Sequence, residues 1–113
     1  MSASEEILSI LNDGLSRQII DKLTDEELSV QQLSSYLNIP QSSTYRKVRK
    51  LEELDLIKKS KVVRTSDGSD ENYYKSLVFQ IVIMFKDGEL SATVEKFKME
   101  DKIVRLWQKF SQN

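Results

Sequence analysis

A mainly helical α+β fold, built on two helices joined by a tight turn and leading into a two-stranded ribbon, is predicted by three features of this 113-residue chain. The segment SVQQLSSYL, from Ser29 to Leu37, carries apolar residues at helical spacing and is stopped by Asn38-Ile39-Pro40. A second helix, QSSTYRKVRKLEEL, follows at once and is dense in Arg and Lys. Next comes a strand with β-branched Val62 and Val63, which turns at Ser66-Asp67-Gly68 and returns through Tyr73 and Tyr74.

The remaining elements follow from spacing and caps. Ser2 with Glu5 makes a capping box, so a first helix is expected from about Ala3 to Leu11, with Ile7, Leu8 and Leu11 at helical spacing. Asn12-Asp13-Gly14 breaks it, and Asp13 suits the cap of a second helix with a stripe of Leu15, Ile19, Ile20 and Leu23. Thr24 to Leu28 reads as a polar, acidic connection. Ser29 with Gln32 makes another capping box, which starts the third helix at Val30 with Val30, Leu33 and Leu37 inward. Asn38 suits a left-handed turn residue. The fourth helix is expected to run to about Leu54. The ribbon strands are expected at Leu56–Thr65 and Asn72–Ser76. Leu77 to Phe85 continues extended, Asp87-Gly88 signals a hairpin, and Leu90 to Phe97 answers it. A last helix aligns Met99, Ile103, Leu106, Trp107 and Phe110 on one face.

Composition narrows the chemistry. The chain is 39% hydrophobic and 31% charged, as expected for one globular domain. It has no Cys and no His, so thiolate and imidazole metal sites and Cys-His or Ser-His nucleophile pairs cannot be built. Three glycines form no phosphate-cradling loop. Neither an enzyme nor a cofactor or metal site is expected. No apolar run of about 18 residues is present, so no membrane span is expected. Glu5 and Glu6 stand where a secretion signal carries basic residues, which gives a cytoplasmic expectation.

Net charge is −1, but its distribution is uneven. Residues 1–40 hold seven acids and two bases, net −5. Residues 41–65 hold eight bases and three acids, net +5. Residues 66–113 return to net −1. A basic segment in an acidic chain is a local footprint for a polyanion, because local field governs encounter.

With Val48 taken as inward and 100° per residue, Thr44, Leu51 and Asp55 share its side of the fourth helix. Ser42, Ser43, Arg46, Arg49, Lys50 and Glu53 fall opposite. Such a helix fits the major groove, with base edges met near its N-terminus and phosphates further along. Gln41, Ser42, Ser43 and Arg46 are the expected base contacts, since Gln pairs bidentately with adenine and Arg with guanine. Tyr45, Arg49 and Lys50 are the expected phosphate contacts. On the ribbon, Lys61 and Arg64 are expected to touch the DNA backbone, while Asp67, Asp70 and Glu71 keep the tip away from phosphate.

The segment LNDGLSRQIIDKL…SVQQLSSYLNIPQSSTYRKVRKLEELDLIKKS resembles the winged helix-turn-helix transcription regulators, and among them the ArsR-like group. The resemblance covers about residues 7–76. Its closing "LeeaGLI" pattern stands here as Leu51-Glu52-Glu53-Leu54-Asp55-Leu56-Ile57, with Asp55 where the family usually has Gly. Asp tolerates the left-handed conformation better than most residues. Metal-sensing members use Cys or His ligands, which this chain lacks, so only the DNA-binding role is implied, on Gln41, Ser42, Ser43, Arg46, Arg49 and Lys50.

Residues 1–76 are therefore expected to form a winged helix-turn-helix DNA-binding domain. Residues 77–113 add a C-terminal hairpin and helix that extend it for dimerisation. The extension has apolar residues on both faces of its first strand, Leu77, Phe79, Ile81, Ile83 and Phe85 on one and Val78, Val82 and Met84 on the other, and such a strand needs cover on both sides. Phe79, Ile81, Ile83, Phe85, Ile103, Leu106, Trp107 and Phe110 are the expected homodimer contacts. The function expected is sequence-specific regulation of transcription by a dimer on an inverted-repeat operator in double-stranded DNA. The alternative is a winged-helix protein-interaction module, favoured by the acidic sequence pI near 5.5 and the acidic ribbon tip. No residue pattern names an effector.

Overall fold

A computed structural model describes residues 2–111, with the side chains of 99–102 outside the description. The expected inward placement of Met99 falls on those side chains. The described elements run α1 (Ala3–Asn12), α2 (Gly14–Asp25), β1 (Leu28–Ser29), α3 (Val30–Leu37), α4 (Gln41–Glu53), β2 (Ile57–Arg64), β3 (Asp70–Ser76), β4 (Val78–Lys86), β5 (Glu89–Lys96) and α5 (Met99–Ser111). The fold class is the one expected: α+β, with a helix-turn-helix and a β-hairpin wing.

The helices begin and end where the local chemistry requires. Ser2 Oγ accepts the backbone N–H of Glu5 at 3.2 Å and starts α1. At α3 the capping box is reciprocal: Ser29 Oγ accepts from Gln32 N at 3.2 Å, and Gln32 Oε1 accepts from Ser29 N at 3.0 Å. Asn38 closes α3 in the left-handed region at φ 57°. Ser34 Oγ donates to the Ile39 carbonyl at 2.6 Å and Thr44 Oγ1 to the Pro40 carbonyl at 3.0 Å, so side chains of both helices clamp the turn between them.

One core joins all of this. Ile19, Leu23, Leu33, Val48, Leu51, Leu56 and Ile57 are almost completely buried, and Tyr74 and Val78 close the cluster from β3 and β4. Each fully buried aliphatic side chain contributes roughly 1.5–3 kcal/mol through removal from water. Val78 belongs to this core, and Ile81 and Val94 pack against it, so the second hairpin is anchored on the first 76 residues. The Leu77 N–H donates to the Leu56 carbonyl at 2.9 Å, and the Phe97 N–H to the Leu77 carbonyl at 3.1 Å, tying both ends of the second hairpin to the wing's base.

Four local expectations are corrected. Leu8 is exposed; α1 buries Ile7, as expected, together with Ile10, against α2 and β5. The acidic connection is shorter than expected: α2 continues to Asp25, and Leu28–Ser29 forms strand β1 on the edge of β3, opposite Tyr74 and Tyr73. Asp55 does not lie on the inner face of α4. It sits beyond the helix end at φ 63°, the left-handed value its place in the closing pattern called for, and points to solvent. Finally, the pleat of β4 is interrupted by a register shift between Val78 and Gln80. An extra residue there exchanges the faces, so buried Val78 and half-buried Ile81 both meet the core, while Phe79 is exposed and meets Phe97 edge-on at 5.7 Å.

Candidate nucleic-acid interface

The outer face of α4 is set by its inner one. Thr44, Val48 and Leu51 are fixed in the core, so the opposite positions point into solvent. Gln41, Ser42, Tyr45, Arg46, Arg49 and Lys50 are all exposed, and Ser43 is half-buried beside them. Arg46 leans on Ser43, with Nη2 3.5 Å from Oγ, and makes no ion pair among the described residues. Hydroxyl, amide and guanidinium groups are thus presented together on the first half of one helix.

The other cations expected to contact DNA each have a carboxylate neighbour. Arg49 lies 3.4 Å from Glu53, Lys50 3.5 Å from Glu6, Lys61 3.6 Å from Glu27, and Arg64 3.6 Å from Asp70. Lys61 also sits over the Tyr73 ring, 4.8 Å from its centroid. Exposed pairs at such distances are worth roughly 0–1 kcal/mol each, so a phosphate can displace the carboxylate at little cost.

Lys47 has a different task. Its Nζ is 2.5 Å from Asp13 Oδ2, and the same oxygen accepts from Ser16 Oγ at 2.7 Å. Asp13 thereby links the α1–α2 corner to the middle of α4 and fixes how the helix is presented. Lys47 is one of the eight bases of residues 41–65, with no role that the sequence alone announces. Its partner is 34 residues away, and no local spacing announces it. The Lys47 ammonium and then the Ser16 hydroxyl hold the Asp13 carboxyl below the usual carboxylate range. A depressed folded-state pKa means the linkage stabilises the fold above the unfolded value near 3.8 and is lost as pH falls through the folded value. Below about pH 4, the melting temperature of the parent protein is therefore expected to fall more steeply than that of Asp13→Asn. Parallel melting curves across that window would remove this role for Asp13.

At the wing tip, Asp67 Oδ1 accepts from Thr65 Oγ1 and from the backbone N–H and hydroxyl of Ser69, at 3.1 and 2.7 Å for the latter two. These bonds bring the Asp67 carboxyl down to about 2, so the tip is anionic at neutral pH. The basic part of the wing is its strand β2, and the tip repels phosphate.

At the other end of the molecule the apolar side chains of α5 and the second hairpin lie open. Trp107 is 70% exposed, Phe110 68% and Phe85 74%. Ile103, Leu106, Phe79, Val82 and Met84 are exposed as well, and Ile83 is half-buried. α5 is held to the body through Asp25, which accepts from Arg105 at 2.8 and 3.2 Å and lies 3.0 Å from Lys109 Nζ.

A two-helix motif clamped at its turn, a second helix with polar side chains outward, and a basic wing strand define the DNA-binding transcription regulators of winged helix-turn-helix fold. Residues 13–59 match the family model described as bacterial regulatory protein, arsR family, so the helix-turn-helix and the start of the wing are ArsR-like. Among solved structures the chain is similar to HlyU from Vibrio cholerae N16961, with a TM-score of 0.54 and 18% identity over 98% of this chain and 94% of that one. That similarity extends the shared fold through the second hairpin and α5. No curated protein matches the chain in sequence. Among the described residues no helix is long and apolar enough to cross a membrane.

Proposed function

We propose that this protein is a sequence-specific regulator of transcription that binds an inverted-repeat operator as a homodimer, with residues 1–76 reading DNA and 77–113 joining the subunits. The observation that carries the reading is the outward row on α4, in which Gln41, Ser42, Ser43 and Arg46, which has no ion pair among the described residues, stand opposite a fully buried Thr44–Val48–Leu51 face. Gln41, Ser42, Ser43 and Arg46 meet base edges. Tyr45, Arg49, Lys50, Lys61 and Arg64 meet phosphates, the four cations exchanging their carboxylate partners for the DNA backbone. The open apolar surface of the hairpin and α5, with Phe79, Ile83, Phe85, Ile103, Leu106, Trp107 and Phe110, supports the second subunit. Ile81 contributes from behind, packed on its own core.

Selection of bound duplexes from a random library tests this. Enrichment of two half-sites about 34 Å apart on the same side of the DNA is the expected result, and no enrichment overturns the sequence-reading role. On the selected operator, Arg46→Ala is expected to cost about 1–3 kcal/mol and to relax one base position. Lys50→Ala is expected to weaken all sequences alike and to reduce the salt slope by about one unit. Full base discrimination retained by Arg46→Ala would remove Arg46 from the reading set.

One observation favours a second reading, a winged helix that docks a protein instead of DNA: every described phosphate-contact cation on α4 and β2 has a carboxylate neighbour, and the wing tip is anionic. Binding of duplex DNA that weakens steeply with salt separates the two readings in favour of DNA.

A further inference from the structure

Between the C-terminal end of α2, the base of the wing and α5 lies a cavity of about 480 Å³, a size that suits a small organic ligand. Its apolar surface comes from Leu23, Leu77, Phe97 and Leu106. Its charged lining is unbalanced, with five cations against three carboxylates.

The pairing of those charges is more telling than their number. Asp25 is engaged by Arg105 and Lys109, Glu26 by Lys22 at 2.9 Å, and Glu27 by Lys61. Lys96 has Asp55 at 2.8 Å. Lys58 and Lys75 remain, and neither has a carboxylate partner among the described residues. They also stand directly opposite each other on β2 and β3, a cross-strand placement that like charges disfavour. All three carboxylates are thus already committed, and two lysines at one cross-strand position line the cavity without a carboxylate partner among the described residues.

We propose that this cavity is a binding site for a small amphipathic monoanion, such as an alkyl or aryl carboxylate. The anionic head lies between Lys58 and Lys75 and relieves their repulsion. The apolar body lies against Leu77, Phe97 and Leu106. Because Leu106 belongs to α5, a bound ligand bridges the wing's base to the helix that carries Trp107. The site stands apart from α4 and does not rest on what that helix reads.

Octanoate and 1-naphthoate are suitable probes for the full chain, with 1-octanol as the uncharged match, followed by calorimetry and by backbone amide shifts. The expected result is saturable binding of at least one acid, one per chain, with shifts at Lys58, Lys75, Leu77 and Phe97. Lys58→Gln with Lys75→Gln is expected to weaken binding by about tenfold or more, since the head loses two charge-assisted partners. Lys58→Arg with Lys75→Arg keeps the charge and retains binding, and Lys86→Gln, at the far tip of the second hairpin, leaves it unchanged. The double Gln variant removes a repulsive pair and is expected to melt no lower than the parent. Absence of saturable binding by both acids overturns the proposal. So does equal affinity in the double Gln variant, octanol binding as tightly as octanoate, or shifts confined to Phe85 and Phe110.

Discussion

Leu51→Ala is expected to destabilise the protein by about 3–4 kcal/mol, read as a lower urea midpoint at unchanged slope and fixed protein concentration. Leu51 is wholly shielded from solvent in the middle of the core that joins α2, α3, α4 and β2. Its carbonyl also accepts the Leu56 N–H at 3.0 Å where the chain leaves α4 for the wing, so the surrounding backbone is tied down and closes poorly over a cavity. Domains of this size have roughly 5–15 kcal/mol of stability in total, so the loss is a large share. Leu8→Ala is the matched control. Leu8 is 42% exposed on α1, and its truncation is expected to cost no more than about 0.5 kcal/mol. Equal costs for the two substitutions would mean that the α4 core is not packed as described.

Glu in place of both Trp107 and Phe110 is expected to split the proposed dimer into monomers at micromolar concentration, with sedimentation as the readout. These two rings are among the most exposed large apolar groups of the molecule, and neither contributes to the described core. Glu favours helix, so α5 itself is preserved. Two carboxylates in each of two facing helices would be desolvated without partners, which costs several kcal/mol. The measurable consequence on DNA follows from linkage of the half-sites. A monomer loses the effective concentration that the second subunit supplies, and operator affinity falls by about 100-fold or more. Unchanged sedimentation of the double variant would sink the proposed interface.

Which features were legible in the sequence depends on the range of the interactions that make them. Only Ser29 completes its capping box, and Asp55 lies past the end of α4 instead of on its inner face. The helix starts at Ser2 and Ser29, the left-handed Asn38, and the burial of Val48, Thr44 and Leu51 on one side of α4 all arise within a few residues and were legible. Strand β1 was not. Two residues carry no periodicity, and Leu28–Ser29 is a strand only because Tyr73 and Tyr74 lie alongside it. The faces of β4 were misassigned for a related reason, since the extra residue near Phe79 is visible only in the register with β5. Nor could spacing show that Glu6 sits on Lys50, that Asp13 holds Lys47, or that Lys58 and Lys75 are left facing each other.

The amino-acid order by itself determined the helices, their caps, the turn between α3 and α4, and which face of α4 looks outward, because 3.6-residue periodicity and capping are local. It also excluded Cys and His chemistry outright. Tertiary structure alone decided which cations are free and which are neutralised, where the second hairpin attaches, and which apolar side chains remain open. Those outcomes depend on charges and strands tens of residues apart, and their distances are set only when the shared core closes.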